Sequence, residues 1–162
     1  MYDMFFDRYG KRRFLGESIP ISKKGFFAIL LKDDKVLVTV PPNSELPEFP
    51  GGHKQRGEDL RSCLYRKLYE ETGVDFMLGE GARKFSQVVN YFDIEEKKGT
   101  FYIYDQTFIV YDAEKYGFNT KAKPRVAPDG AKSYWLKVKD ITSGKVGLSY
   151  MHGLAFGEMF KD

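Results

Sequence analysis

The segment between Gly52 and Val74 constrains the fold of this chain more than any other part of the sequence. It reads GHKQRGEDLRSCLYRKLYEETGV, and its apolar residues recur every three or four positions, which is the repeat of one helix face. Asp59 is suited to cap the start of such a helix, and Gly73 is suited to end it in the left-handed conformation. We therefore predict a helix from Asp59 to Thr72 with an apolar stripe formed by Leu60, Cys63, Leu64 and Leu68.

Two glycines and two glutamates flank this predicted helix. Gly51 and Gly52 predict a turn that lets the backbone approach a ligand closely, because neither residue has a side chain. Glu70 and Glu71 are three and four positions after Lys67, so the three side chains project over one arc of the helix. Mg²⁺ takes oxygen ligands and keeps waters that a phosphate can replace. The two carboxylates beside the glycine turn therefore predict a site for a hard cation.

The same segment resembles the Nudix box, Gly-x5-Glu-x7-Arg-Glu-U-x-Glu-Glu-x-Gly-U, where U is apolar. A solvated helix with Glu–Lys pairs would not place a glycine turn, an arginine and a closing glycine in this register. The matching residues are Gly52, Glu58, Arg66, Leu68, Glu70, Glu71, Gly73 and Val74. The one departure is Lys67, which stands where the box has a glutamate.

The resemblance implies both a fold and a reaction. The implied fold belongs to the α/β (α+β) class and is an α/β/α sandwich with a mixed sheet. The implied reaction is hydrolysis of a pyrophosphate linkage in a nucleoside diphosphate joined to another group, with Mg²⁺ or Mn²⁺ as the cofactor. Bound metal and carboxylates suit this chemistry, because they neutralise phosphate charge and position an attacking water.

The resemblance also implies roles for individual residues. Glu70 and Glu71 are expected to be metal ligands, and Glu58 a further ligand or a nearby support. Gly52 is expected to bind the metal through its backbone carbonyl. Arg66 is expected to orient the glutamates through ion pairs, which completes a catalytic set of Arg66, Glu70 and Glu71.

Lys67 changes the expected electrostatics of this site. At about 5 Å and an effective dielectric constant near 20, its ammonium would repel Mg²⁺ by roughly 7 kcal/mol before screening. We therefore expect weaker metal binding than in a complete box, unless the long side chain swings outward. Lys67 could also pair with the two glutamates or hold a pyrophosphate, and His53 could contact phosphate or act as an acid.

Two functions remain open at this point. One is a hydrolase whose base comes from outside the box, with Asp112, Glu114 and Asp129 as candidates. The other is a nucleotide-binding or interaction module that keeps the fold but does not hydrolyse, because Lys67 replaces a ligand. The substrate is not specified by the box, although Tyr91, Phe92, Tyr102, Tyr104 and Phe118 are candidates for stacking on a nucleobase.

Patterns outside the box predict a sheet around the helix. Two β-branched apolar runs, 26–31 and 36–40, predict a hairpin, and two more, 85–92 and 101–111, predict another about the turn 95–99. A last strand is expected at 133–138 and a closing helix at 150–160. We expect one domain over 1–162, with 1–24 as an N-terminal extension.

Composition is consistent with one enzyme-sized domain. The 162 residues include 42% hydrophobic residues and a single cysteine, so the chain can form a core and no internal disulfide. A net charge of +3 suits an anionic small molecule and does not indicate nucleic-acid binding, so the basic N-terminal cluster is read as a solvated extension or a homodimer contact. The chain has no membrane-spanning apolar run and no secretory signal pattern, so we expect a cytoplasmic location.

Overall fold

A mixed β-sheet forms the centre of the protein. The computed structural model describes residues 4–73, 75–76, 83–94, 99–112 and 126–159. The strands are β1 (Met4–Phe6), β2 (Arg12–Phe14), β3 (Ile21–Lys32), β4 (Lys35–Val40), β5 (Gly51–His53), β6 (Arg83–Asp93), β7 (Thr100–Asp112) and β8 (Lys132–Lys137). The helices are α1 (Leu60–Thr72), α2 (Val138–Thr142) and α3 (Tyr150–Met159).

The strand order explains why the sheet is mixed. Along the sheet the strands run β2-β1-β6-β7-β3-β4-β8, and β5 pairs with β3 off this path. β3 is parallel to β7 and β1 is parallel to β6, whereas the other pairs are antiparallel. A parallel β3–β7 pair needs a crossover between the two hairpins, and α1 lies in that crossover.

Apolar side chains cover both faces of the sheet. On one face, Cys63, Leu64 and Leu68 of α1 pack on alternate residues of β3. On the other face, Met151, Ala155 and Phe156 of α3 pack against the remaining set of strand residues. Alternation along strands sends successive side chains to opposite faces, so a helix is needed on each side. The expected α/β/α sandwich with a mixed sheet is confirmed.

The predicted elements agree with the structure apart from two details. Both hairpins form, as β3–β4 and β6–β7, and the last strand and closing helix are present. The final strand ends at Lys137, and Val138 begins a short helix. Gly51 and Gly52, predicted as a turn, form a strand instead. Val74, Phe160 and most of the 95–99 turn lie outside the described residues.

The N-terminal residues contribute two further strands that sequence patterns did not reveal. β1 and β2 form an antiparallel hairpin, and β1 adds to the edge of the sheet beside β6. Phe5 of β1 is only 1% exposed and packs edge-on against Phe101 at 5.1 Å. None of the described helices has the length and apolar character required to cross a membrane.

Candidate active site

Helix α1 is held at both ends by the residues that the sequence indicated. The Asp59 side chain accepts a hydrogen bond from the Ser62 backbone N–H at 2.8 Å, which satisfies one of the free amides of the first turn. Gly73 adopts the left-handed conformation with φ 71°, and its N–H donates to the Tyr69 carbonyl. These caps set where the helix begins and ends, and so determine which turn carries the glutamates.

Gly51 and Gly52 lie beside the helical turn that carries the glutamates, because no side chain separates β5 from β3 and α1. Their φ values are +142° and +157°, a region that glycine alone adopts readily. A Cβ on Gly51 would overlap the Phe26 carbonyl oxygen and lie 2.6 Å from Phe27 Cα. A Cβ on Gly52 would lie 2.8 Å from Lys67 Cε. The glycine pair is therefore required both for packing against β3 and for contact with α1.

Glu71 contacts this glycine strand directly. Its Oε2 accepts a hydrogen bond from the Gly51 N–H at 3.2 Å, and its side chain is only 16% exposed. Burial raises the pKa of Glu71 to about 8, while the Lys67 ammonium and the Gly51 N–H act in the opposite direction. The expected proximity of the glycines to Glu71 is therefore present in the fold.

Lys67 points into the site. Its Nζ lies 3.7 Å from Glu70 Oε2 and 3.7 Å from Glu71 Oε1. Its alkyl chain covers Gly52, and the ammonium would lie 3.4 Å from a Cβ at that position. Of the arrangements considered from the sequence, the structure has the one in which Lys67 pairs with both glutamates.

Arg66 organises the outer side of the site. It donates to both carboxylate oxygens of Glu58, at 2.7 and 2.9 Å, and to Glu70 at 3.2 Å. A further bond of 3.3 Å reaches the His53 carbonyl oxygen. The Arg66 hydrogen bonds lower the pKa of Glu58 to about 2. The Arg66 guanidinium therefore connects Glu58, Glu70 and the His53 backbone. Glu71 does not take part in this network and contacts Gly51 instead.

Some of the oxygen atoms at this site are suited to bind a divalent cation. Glu70 and Glu71 offer the oxygen ligands that Mg²⁺ prefers, with room for water on the exposed Glu70 side. The Gly52 carbonyl oxygen, however, faces the Cys63 thiol at 3.7 Å. No cluster of three His, Cys, Asp or Glu side chains suited to a metal occurs in the described residues. The site fits one divalent cation only when the Lys67 ammonium moves from between the carboxylates.

A polar cavity of about 190 Å³ opens on the other side of the glycine strand. Its lining includes Arg8, Lys23, Glu48, Tyr91, Asp93 and Tyr104. Burial raises the pKa of Glu48, whereas the nearby Ser149 hydroxyl and the charge of Arg8 act in the opposite direction. Sequence patterns did not identify this cavity, because its residues come from segments that are far apart in the chain. The one local signal was Glu48 itself, a charged residue between Pro47 and Phe49 in an otherwise apolar segment.

The remaining sequence candidates occupy different places. Asp129 lines a groove with Tyr69 and Glu70, although its carboxylate accepts the Ala131 N–H at 3.0 Å. Asp112 ends β7 about 13 Å beyond Phe108, the residue level with Gly51 in the sheet, and so lies away from the glutamates. Glu114 and Phe118 lie outside the described residues.

The aromatic candidates divide between packing and cavity lining. Tyr91 and Tyr104 are buried and line the polar cavity, whereas Tyr102 lies at its outer side. Phe92 packs on Phe101 with ring centroids 4.6 Å apart, so this ring packs within the β6–β7 hairpin. His53 is exposed beside the cavity, and partial burial and the charge of Lys23 lower its pKa.

Comparisons with known proteins agree with this geometry. The family profile described as NUDIX domain matches residues 22–150, whereas no curated protein sequence matches the chain. The MutT NUDIX hydrolase from Burkholderia pseudomallei has a TM-score of 0.57 and 20% identity, covering 84% of this chain and 96% of that one. The MutT protein from Methanosarcina mazei Go1 has a TM-score of 0.57 and 17% identity, covering 87% and 94%. The E. coli ORF135 protein has a TM-score of 0.55 and 19% identity, covering 86% and 89%.

At these identities the structural similarities establish the fold. The profile match extends from β3 to the start of α3, and therefore includes the glycine strand, helix α1 and the polar cavity's main walls. Sequence profile, strand order and the glutamate-bearing helix point to one assignment. This chain belongs to the Nudix hydrolase family.

Proposed function

We propose that this protein hydrolyses a pyrophosphate linkage in a nucleoside diphosphate joined to another group. Family membership supports pyrophosphate hydrolysis in general. The observation that carries the proposal is the contact of the Gly51 N–H with Glu71, at 3.2 Å, beside the Lys67 ammonium. A carboxylate, a cation and side-chain-free backbone then meet at one surface, which suits a diphosphate and an attacking water.

Glu70 and Glu71 would hold a single Mg²⁺ or Mn²⁺ in this proposal, and the metal would supply charge neutralisation for the phosphates. The Gly52 carbonyl is a weaker candidate for a metal ligand because it faces Cys63. Glu58 is also a weaker candidate, because Arg66 binds its carboxylate. Arg66 would keep Glu70 oriented through its ion pair. We expect lower metal occupancy than in a site with all the box glutamates, because Lys67 competes for the same carboxylates.

Lys67 would act on the substrate in this proposal. When a diphosphate enters, its oxygens offer the ammonium a charge-assisted partner in place of the two glutamates. The lysine would then leave the carboxylates and neutralise part of the phosphate charge. The water would be aligned at the Glu71 side, where the Gly51 N–H fixes the carboxylate.

The polar cavity would receive the remaining part of the nucleotide. It adjoins Gly51 and Gly52 and contains both hydrogen-bond donors and acceptors, including Lys23, Tyr104 and Glu48. These groups suit a polar organic group such as a sugar or base rather than an apolar one. This cavity is where we expect the choice of substrate to be made.

The direct test is a hydrolysis screen with purified protein. Nucleoside triphosphates, dinucleotides, nucleotide sugars and coenzyme-linked diphosphates are incubated with Mg²⁺ or Mn²⁺, and the products are separated by chromatography. We expect turnover of at least one class, and loss of about a hundredfold or more in Glu71→Gln, since a charge-stabilising group is removed. Glu17→Gln, at an exposed position between β2 and β3, is the matched control.

Two results would contradict the proposal. One is nucleotide binding without turnover of any class, which would indicate a non-hydrolysing module of the same fold. The other is equal turnover by Glu71→Gln and the unchanged protein, which would place the reaction elsewhere. Manganese titration of the same two proteins tests the metal assignment separately, because equal binding would remove Glu71 from the metal ligands.

A further inference from the structure

A groove of about 580 Å³ continues outward from the glycine strand, and its charged lining residues are all basic. We call it the basic groove and define it by Lys23, Lys24, His53, Lys54, Arg56 and Tyr102. Its cations come from two segments, the start of β3 and the chain that leaves β5. No acidic residue is part of its lining. Clefts lined by charge of one sign attract ligands of the opposite sign.

Sheet pairing brings the two basic segments together. Gly25 pairs with His53, and the Lys54 N–H donates to the Lys24 carbonyl oxygen at 3.1 Å. The residues that follow Gly52 therefore run beside the residues that precede Gly25. As a result, the groove begins at His53, the residue that follows Gly52.

Lys23 and His53 connect the basic groove to the polar cavity, since both residues line both spaces. Lys23 Nζ lies 4.6 and 4.9 Å from the ring centroids of Tyr102 and Tyr104, which holds this ammonium at the junction. The ammonium of Lys23 therefore lies where the polar cavity meets the basic groove.

The outer cations of the groove form no ion pair with another residue in the part of the chain that the structure describes. Within the described ranges, Lys24, Lys54 and Arg56 form no ion pair, whereas Arg66 and Lys67 are both engaged by glutamates. A diphosphate diester carries one negative charge on each phosphate, and Lys67 lies where it would meet them. The additional cations exceed what such a substrate requires.

We propose that the basic groove binds phosphates that lie beyond the hydrolysed linkage. The substrate would then belong to the nucleoside polyphosphates, with at least three phosphates in a row. This inference rests on the proposed function for the position of the linkage at Gly52 and Glu71. The nucleoside would occupy the polar cavity, and the distal phosphates would extend along Lys24, Lys54 and Arg56.

The test compares two triple variants with the same change in charge. The groove variant is Lys24→Gln/Lys54→Gln/Arg56→Gln, and the control is Lys137→Gln/Lys139→Gln/Lys145→Gln, whose residues are exposed near β8 and α2. Calorimetric titration without metal measures the Kd of inorganic tripolyphosphate and of pyrophosphate for each protein. We expect the groove variant to bind tripolyphosphate roughly thirtyfold more weakly and pyrophosphate within about threefold of the unchanged protein. The control should change neither affinity by more than about twofold.

Turnover provides the second measurement. The ratio of kcat/KM for a nucleoside triphosphate to that for a nucleotide sugar should fall at least about tenfold in the groove variant and stay constant in the control. Equal effects of the two variants, or equal weakening of tripolyphosphate and pyrophosphate, would overturn the proposal. So would a groove variant that loses affinity for a 5′-phosphorylated single-stranded oligonucleotide while keeping tripolyphosphate, since that would assign the groove to nucleic acid.

The binding and turnover results separate two kinds of failure. If no substrate is hydrolysed but tripolyphosphate binding depends on the groove residues, the proposed reaction is wrong and the groove assignment stands. If hydrolysis occurs and neither binding nor the substrate ratio depends on these residues, the reaction stands and the groove assignment is wrong.

Discussion

Lys67 is the residue at which this chain departs from the Nudix box, and its position gives the departure a physical meaning. A lysine at this point of the helix had two directions available, outward into water or inward over Gly52. The structure has the inward arrangement, with Nζ 3.7 Å from both Glu70 and Glu71. Where the box has a carboxylate, this chain therefore has an ammonium of opposite charge, which can contact phosphate instead of metal.

Replacing Lys67 by glutamate should restore a metal site. We expect Lys67→Glu to bind Mn²⁺ at least about tenfold more tightly, because it removes a positive charge and adds an oxygen ligand. Hydrolysis of the best substrate should rise with it. Manganese titration and initial rates measure the two effects. Lys67→Gln removes the charge without adding a ligand, so its Mn²⁺ affinity and its rate should lie between those of the unchanged protein and those of Lys67→Glu.

A binding module would respond differently to the same change. Lys67→Glu would then weaken nucleotide binding without creating turnover, because a phosphate contact becomes a repulsion. No effect on metal affinity, nucleotide affinity or turnover would mean that Lys67 does not act on the site.

His152 is a second informative residue, because it is buried and neutral. It is 1% exposed, and its Nδ1 accepts the Phe49 backbone N–H at 3.0 Å, which fastens the segment carrying Glu48 to α3. Burial lowers the pKa of His152 to about 3. The unfolded chain, with a pKa near 6.5, therefore binds a proton that the folded protein rejects as the pH falls.

This difference predicts an acid sensitivity. The stabilising effect is complete above about pH 6.5 and is lost progressively towards pH 3, at about 1.4 kcal/mol per pH unit. Between pH 6.5 and pH 5 His152 should therefore lower the free energy of unfolding by about 2 kcal/mol. Urea titrations at both pH values should show a smaller loss in His152→Asn, whose amide oxygen can accept the same N–H. Equal pH dependence of the two proteins would contradict the assignment.

At the level of elements, β5 depends on glycine more strictly than its length suggests. It contains only Gly51–His53, yet it positions the N–H that binds Glu71. A side chain on Gly51 would meet the backbone of β3, which cannot move without disturbing the β3–β7 pairing. The strand is therefore an extended segment that only side-chain-free residues can form here.

Gly51→Ala and Gly57→Ala provide a matched comparison of this requirement. Both glycines have positive φ, but a Cβ on Gly57 would meet nothing within 4 Å. Gly57→Ala should cost about 1–2 kcal/mol of stability from backbone strain alone. Gly51→Ala should cost more than about 3 kcal/mol, because steric overlap adds to the strain. Chemical denaturation measures both values, and equal losses would show that the contact with β3 is unimportant.

At the level of the whole molecule, the N-terminal hairpin and β8 occupy opposite ends of the sheet. β1 and β2 lie beyond β6, whereas β8, which carries Trp135, forms the other edge. The profile match begins at residue 22, so the hairpin lies outside it. Phe5 and Arg8 nevertheless reach the core and the polar cavity, respectively. We propose that the hairpin and the matched region form one cooperative domain.

Phe5→Ala tests this cooperation. The side chain is 1% exposed, so its loss should lower the free energy of unfolding by about 3–5 kcal/mol. Phe14→Ala, in the same hairpin but 71% exposed, should change it by less than about 0.5 kcal/mol. Trp135 is the only tryptophan, so its fluorescence during urea unfolding reports on the far edge of the sheet. An unchanged Trp135 transition in Phe5→Ala would show that the hairpin unfolds independently.

The sequence alone determined the features that depend on neighbouring residues. The cap at Asp59, the three- and four-residue repeat of α1 and the left-handed Gly73 act within a few positions, so the helix could be predicted almost to its ends. The β3–β4 and β6–β7 hairpins followed for the same reason. The box spacing identified the family, because its residues lie close together in the sequence, in β5, helix α1 and the loop between them.

Tertiary structure alone decided which distant residues meet. The parallel pairing of β3 with β7 and of β1 with β6 joins segments far apart in the chain, and no local pattern encodes such a register. This pairing brings Arg8, Glu48 and Tyr104 around one cavity. The antiparallel pairing of β3 with β5 likewise sets Lys24 beside Lys54. The inward direction of Lys67 likewise depends on Gly52 in another strand, which leaves room for its side chain and lets the ammonium meet both glutamates.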